Sequence, residues 1–416
     1  MHFDEWLLVS SLLLLLSILA WKVSSILGIP ALLLFLGIGM LAGSDGPGGI
    51  YFDNALLAQE VGIVALAFIL FAGGLETEWK VVRPALGAAL SLSTIGVLLT
   101  AVVVAVFAFV VLHFSFAEGL LLGAIISATD VAAVFSVLRA RNLQLKGKLL
   151  PLLELESGTN DPMAVFLTVG LTTLLTNPQE SVVKLLLLFV QQMGVGAISG
   201  LLIGWAAIWL ISRLHLDAEG LYLVFTIALV LFAYGLTALL GGSGFLAVYL
   251  VGLLLGNSSV QGMDRLSRFH DSLAWLMQIA MFLILGLLVF PSRLPAVVGS
   301  GLLITTVAVF LARPLSVLVA LLPVKMSFQE KLFVGWVGLR GAVPIVLATF
   351  PLLAGLSKAS FLFDLVFFVV LASVLLQGTT VSFVAQWLGV IAPVSPAGES
   401  GDYGVHDHET DNHHDR

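Results

Sequence analysis

The chain has no cysteine and very little charge. Among 416 residues there is no Cys, and only 10% are Asp, Glu, Lys or Arg. The first absence excludes disulfides, thiolate metal sites and cysteine nucleophiles, and leaves the redox compartment open. The second excludes an ordinary soluble domain, in which roughly a quarter of the residues are charged. No His-Glu-x-x-His run occurs and no His falls inside the apolar spans delimited below, so an intramembrane hydrolase lacks its usual ligands. No cofactor is called for, nucleic acid is not an expected partner, and the chain does not read as an enzyme.

What fills the chain instead is apolar. Hydrophobic residues make up 59%, and the mean hydropathy is +1.11. Repeated apolar stretches long enough for a hydrocarbon core of ~30 Å predict an all-α polytopic membrane protein. Cutting at charged, Gly and Pro clusters gives about thirteen spans, near 6–27, 29–43, 57–75, 85–112, 118–139, 149–176, 182–211, 219–240, 243–256, 272–290, 296–321, 329–355 and 362–389. The first is neither preceded by a basic region nor followed by a small-residue cleavage site, and is expected to be retained. With the N-terminus outside, twelve basic residues between Lys22 and Lys331 fall in cytoplasmic connections, against only Lys184, Arg293 and Lys358 outside. That bias predicts a cytoplasmic C-terminus. Residues 391–416 are acidic and His-rich, without apolar periodicity, and are expected to form a disordered cytoplasmic tail. Its four histidines (His406, His408, His413 and His414) have no fixed ligand spacing, which favours a solvated tail over a metal site.

The few charges inside the spans carry the functional signal. An ionised carboxylate at a bilayer centre costs at least ~2.5–3.5 kcal/mol on insertion scales. From helix rise, Asp130 lies ~18 Å from one face, Asp161 ~18 Å from the other and Arg340 ~16 Å deep, so all three cluster near the midplane. In the sixth span, Ser157 and Asp161 are i,i+4 neighbours, as are Glu156 and Asn160. Pro162 frees the carbonyl of Gly158 and favours a kink. Ser, Thr and Asn often do no more than hold helices together, but a midplane carboxylate beside an amide asks for a cation or a proton. Ser127-Ala128-Thr129-Asp130 in the fifth span and Gly338-Leu339-Arg340-Gly341 in the twelfth predict helix breaks. Two broken spans running in opposite directions are the usual frame of a midplane ion site. Asp130 is placed to neutralise the half-helix N-termini that meet there. Arg340 needs a carboxylate, and Glu156 is the expected partner. Glu76, at the inner end of the third span, reads as an interfacial carboxylate or a further ligand. Glu154 is placed to line an access funnel, and Arg313 to snorkel to the cytoplasmic surface.

At Ala128-Thr129-Asp130, Glu156-Ser157-Gly158-Thr159-Asn160-Asp161-Pro162, Gly338-Leu339-Arg340-Gly341-Ala342-Val343-Pro344 and Gly244-Phe245-Leu246-Ala247-Val248-Tyr249, the chain resembles the NhaP-type monovalent cation/proton antiporters. The likeness runs from about residue 6 to 390 and is nearest to bacterial potassium/proton or sodium/proton antiporters. It implies a thirteen-span antiporter fold of two inverted six-helix repeats, although no repeat is detectable in the sequence itself. It further implies core helices at about 85–176 and 296–389, dimerisation helices at about 6–75 and 219–290, a linker helix at about 182–211, and a homodimer in the inner membrane. By the same resemblance Asp161 and Asn160 carry the exchange, Thr129, Asp130, Ser157 and Glu76 support the cation site, and Glu156 with Arg340 is a structural ion pair. The long folded cytosolic region of the potassium-type relatives has no counterpart in this sequence. The activity implied is exchange of K+ or Na+ for H+ by alternating access, one for one and electroneutral, because an Asn-Asp pair offers a single titrating carboxylate. The alternatives are a cation channel or another ion-coupled transporter.

Overall fold

A computed structural model describes residues 3–27, 30–141, 143–177, 179, 181–213, 219–260 and 262–392. The expectations for the tail and its histidines from residue 393 onward lie outside the described residues. Among the described residues the architecture is helical apart from one antiparallel bridge between Leu145 and Ile391. Among these residues eight helices are long and apolar enough to cross a bilayer, and four shorter apolar helices lie between them.

In chain order, the first part comprises α1 (Phe3–Leu27), α2 (Ala31–Ala42) and α3 (Ala55–Glu76). A single long helical rod follows, made of α4 (Trp79–Val82), a 3-10 turn, α5 (Leu86–Ser91), a π-turn at Leu92–Gly96 and α6 (Val97–Val111). Then come α7 (Phe116–Ile125), α8 (Val131–Ala140) and α9 (Leu149–Thr176). The middle of the chain supplies α10 (Val182–Arg213), α11 (Glu219–Leu239), α12 (Gly244–Gly256) and α13 (Met263–Leu288). A second rod runs through a 3-10 turn, α14 (Leu294–Val307), a π-turn at Ala308–Ala312 and α15 (Arg313–Ala320). The chain closes with α16 (Phe328–Trp336), α17 (Ala342–Leu353) and α18 (Ala359–Trp387).

Both expected breaks are present. The fifth span splits at residues 126–130 and the twelfth at 337–341, where short polar residues and two glycines interrupt the apolar run. Pro344 does not kink a helix, because α17 restarts at Ala342 and a first-turn proline lacks only an N–H that had no partner anyway. The helix α9 runs unbroken through Pro162. The largest boundary error is in α13, which begins at Met263 and not near residue 272. It therefore takes in His270, which is 1% exposed and within 2.8 Å of the Thr226 hydroxyl. A buried histidine thus does lie in an apolar helix, where the polar stretch Asp264-Arg265-Leu266-Ser267-Arg268 had hidden the start.

The internal repeat that the sequence conceals is visible in the structure. Two short helices, α2 and α12, each cross a long partner through a pair of glycines. A side chain at Gly39 would collide with the Leu283 carbonyl and sit 2.9 Å from Gly286 Cα, and one at Gly252 would collide with the Phe71 carbonyl beside Gly74. After each short helix a side-chain oxygen accepts a backbone N–H, Asp45 from Ser292 at 3.0 Å and Asn257 from Trp79 at 2.8 Å. Each rod has its π-turn, and each broken span opens on a capping box, Ser115 with Glu118 and Ser327 with Glu330. The two members of every pair are separated by nearly the same stretch of chain.

By contact the helices fall into two bodies: in the first α2 packs on α13, α3 on α12 and α13, and α11 on α12, while in the second α5–α9 and α14–α18 pack mainly on one another, with α17 also packing on α3. Glycine crossings bring backbones of the first set into close approach, which can be tested. Gly39→Val should lower stability by about 1–3 kcal/mol through overpacking, whereas Gly37→Val, whose new Cβ meets nothing within 4 Å, should not. Thermal unfolding of both variants in detergent checks this, and equal melting temperatures would contradict the crossing.

Candidate functional site

The two breaks meet each other. The N–H of Asp130 donates to the carbonyl of Leu339 at 2.7 Å, so the extended segments cross and pair through the backbone. Around this crossing four half-helix ends come together, and each sign of helix dipole meets an opposite charge. Asp130 is the N-cap of α8 and accepts the Ala133 N–H at 3.2 Å. Its carboxylate also lies against Gly341, the N-cap of α17, where any side chain would collide with it. Asp130 therefore faces the positive ends of two helices, as the sequence implied.

Arg340 serves the negative ends. It is completely buried and donates to three carbonyls: Ile126 at 3.1 Å, Ala308 at 3.4 Å and its near neighbour Gly338. Ile126 closes α7, Gly338 follows α16, and Ala308 begins the π-turn of the second rod. The N–H of Arg340 donates to Ser373 Oγ at 3.2 Å, and Ser373 and Gln377 link this cluster to the Trp336 carbonyl.

The partner of Glu156 is a correction. Glu156 pairs with Arg313, whose Nη2 reaches the two carboxylate oxygens at 2.8 and 2.9 Å, and not with Arg340. Arg313 is 2% exposed, so it does not snorkel to a surface either. The physical reason is geometric. The break around Arg340 exposes carbonyls that absorb a guanidinium locally, whereas Arg313 opens α15 beside the π-turn and packs against Gly338. Arg313 directly follows the π-turn, which an apolar sequence does not announce, and its side chain reaches Glu156 on α9.

Above this pair, α9 is tied to the first break. Ser157 Oγ donates to the Thr129 carbonyl at 2.9 Å, and Asn160 Nδ2 donates to Thr129 Oγ1 at 2.6 Å and to Glu156 Oε1 at 3.3 Å. Asp161 receives nothing comparable. Its Oδ1 is buried without a hydrogen-bond partner among the described residues, and so is Asn160 Oδ1. Ser157, Asn160 and Arg313 donate elsewhere, and of the cavity's hydroxyls that of Tyr249 is also left without a partner among the described residues. Such a place suits a bare cation or a proton and repels anions.

Asp161, 6% exposed, lines the buried end of a cavity of about 680 Å³. Asp130, Thr129, Ser157, Glu154 and Glu76 share its wall, whereas Asn160 does not reach it. Glu76, Arg139, Gln144 and Gly147 are the exposed polar and loop residues of its lining, which puts the mouth beside them. Glu76 thus occupies the mouth of the path at the last residue of α3, in the field of Asp271, Arg139 and Glu154. Asp271 is a member of this group that sequence reasoning missed, because the residue fell just outside the expected tenth span. Tyr249, from the Gly244–Tyr249 segment, presses on Gly158 so closely that an added Cβ there would lie 2.7 Å from its ring.

The reassigned ion pair makes a specific forecast. Arg313→Met should destabilise the fold by about 3–5 kcal/mol, since it strands a buried carboxylate, and adding Glu156→Gln should recover much of that loss. Arg340→Met should gain nothing from the same second change. A double-mutant cycle on melting in detergent reads both couplings, and coupling of Glu156 to Arg340 alone would refute the assignment.

Comparison with known proteins agrees with this geometry. A family model described as "Sodium/hydrogen exchanger, transmembrane" matches residues 11–387. The chain is 46% identical over 396 residues to a protein of Shewanella sp. (strain ANA-3) named K(+)/H(+) antiporter NhaP2, covering 94% of this chain and 68% of that one. It is 43% identical over 387 residues to the K(+)/H(+) antiporter NhaP of Alkalimonas amylolytica, covering 93% and 67%. Among solved structures, the sodium proton antiporter MjNhaP1 from Methanocaldococcus jannaschii superposes with a TM-score of 0.81 at 27% identity, over 93% of this chain and 99% of that one. The helical architecture with its two crossing breaks, the family match and these relatives together place the chain in the transmembrane sodium/hydrogen exchanger family.

Proposed function

We propose that this protein exchanges a monovalent cation for a proton at Asp161, one for one, by alternating access. The observation that carries the reading is the buried, unpartnered carboxylate oxygen at the buried end of a water-sized path. Burial favours the protonated form, and a bound cation favours the ionised one. Proton and cation therefore compete for the same oxygens, and competition is all the coupling that antiport requires. Asn160 positions Thr129 and Glu156 and adds no second titrating group, which supports electroneutral exchange. Glu76 and Glu154 concentrate cations at the mouth.

Potassium is the cation we favour, because the relatives of 43–46% identity are named potassium/proton antiporters. Sodium is the second candidate, since the solved structure at 27% identity is titled a sodium proton antiporter. The mouth faces the cytoplasm if the basic connections lie inside. The first body, with α1 packed on its α2, serves as the dimerisation scaffold of a homodimer. The second body, which carries Asp161, moves against it. A static channel fits poorly, because Gln59 Nε2 bonds to Thr349 Oγ1 at 3.1 Å and Val346 packs on Gly62 beyond the buried end.

Asp161→Asn should abolish cation-driven proton flux in proteoliposomes while leaving the melting temperature within a few degrees of the parent. Residual exchange above a tenth of the parent rate would sink the assignment. In the parent, the sign of the pH effect follows from competition. Below the pKa of the site the apparent KM for the cation should rise about tenfold per unit of falling pH, and above it the KM should level off. A KM independent of pH would mean separate sites. Asn160→Asp should make exchange respond to an imposed membrane potential, a response the parent lacks if exchange is one for one.

A further inference from the structure

The face of α9 that carries Asp161 does not stop at Asp161. Leu150, Glu154, Ser157 and Asp161 line the cavity, and helical spacing puts Thr168 and Thr172 on the same face, two and three turns further on. Thr168 is 0% and Thr172 7% exposed. Neither hydroxyl has a hydrogen-bond partner among the described residues. Other threonines of the same helix behave differently: Thr159, Thr173 and Thr176 each donate to the carbonyl four residues back, at 2.6, 2.9 and 3.1 Å. Back-bonding is the local default for a threonine in a helix. Two successive hydroxyls that decline it while buried leave unmet demand along one line.

Two neighbouring helices, α3 and α17, also change character along their length. On α3 the cavity wall begins at Leu66, while Gly62 and Gln59, one and two turns away, are in contact with Val346 and Thr349. On α17 the wall ends at Pro344, and Val346 and Thr349 make those same contacts. Three helices therefore agree: on the mouth side of Asp161 their facing surfaces are open, and on the far side they are closed. We infer that Thr168 and Thr172 line the second half of the ion path, the one that opens on the far side when the mouth side closes, and that their hydroxyls serve the hydrated cation or proton-carrying water there. This rests on the antiport reading and adds to it two positions on the route away from the site. The hydroxyls are positioning groups, since Asp161 alone exchanges the ion.

The absence of cysteine makes the test direct. Thr168→Cys, Thr172→Cys and, as a buried control on the face towards Phe189, Phe166→Cys each give a protein with one thiol. A membrane-impermeant maleimide is applied to oriented proteoliposomes from each side, with and without a potassium gradient. The thiols at 168 and 172 should label from the side opposite the mouth, and faster under the gradient, while the thiol at 166 should stay unlabelled. Labelling at 168 and 172 that matches the control under turnover, or that occurs only from the mouth side, overturns the inference. Should a thiol disturb folding, the isosteric Thr168→Val and Thr172→Val carry the test. Each should slow exchange about fivefold, the worth of one hydrogen bond, with cation-induced proton release unchanged; unchanged exchange in both counts against the path. Failure of the antiport reading looks different, since the parent would then show no cation-driven proton flux or Asp161→Asn would retain it.

Discussion

Everything at the centre of this molecule depends on ending helices where there is no water to receive their ends. A break in an apolar medium leaves backbone N–H and C=O groups that cost several kcal/mol each if unmet. Here two breaks are laid across each other so that one supplies a hydrogen bond to the other, from Asp130 to Leu339. The remaining ends are gathered by sign. Asp130 takes the N-termini of α8 and α17, and Arg340 takes carbonyls at the ends of α7 and α16. Two charges of opposite sign, half-buried Asp130 and fully buried Arg340, thereby stabilise a crossing that neither helix could hold alone.

The consequence for chemistry is a matter of which donors are left. Arg340 faces backbone carbonyls, Arg313 faces Glu156, Ser157 faces the Thr129 carbonyl and Asn160 faces Thr129 and Glu156. No N–H or O–H among these turns to Asp161 Oδ1. A carboxylate placed so, at the end of a cavity, has two ways to be satisfied: it takes up a proton, or it takes up a cation. On the proposed reading the two compete for one group, and the contacts of Gln59 with Thr349 and of Gly62 with Val346 close α3 against α17.

Much of this was legible in the sequence because polar residues stand out against an apolar background. The breaks at 126–130 and 337–341, the placement of Asp161 and the role of Asp130 follow from short polar runs, glycine and helix rise. The partner of Glu156 did not follow. In sequence Arg340, at the midplane, looks the partner and Arg313, late in its span, looks interfacial; the π-turn at Ala308–Ala312 that immediately precedes Arg313 has residues (Ala, Val, Phe and Leu) with no distinguishing pattern. His270 and Asp271 were hidden because a polar first turn makes α13 look nine residues shorter than it is. The repeat was hidden for a related reason. What the two halves share is crossing geometry at Gly39 and Gly252 and the placement of caps, and these tolerate almost complete divergence of the apolar residues between them.

The central claim is that one carboxylate holds either a proton or a cation. It is tested most directly by proton release on binding, measured with purified protein in weakly buffered detergent solution near the midpoint of its pH response. Adding potassium or sodium chloride should acidify the solution by close to one proton per protomer, choline chloride should not, and Asp161→Asn should remove the signal. Saturable cation binding with no proton released would contradict competition at a single site.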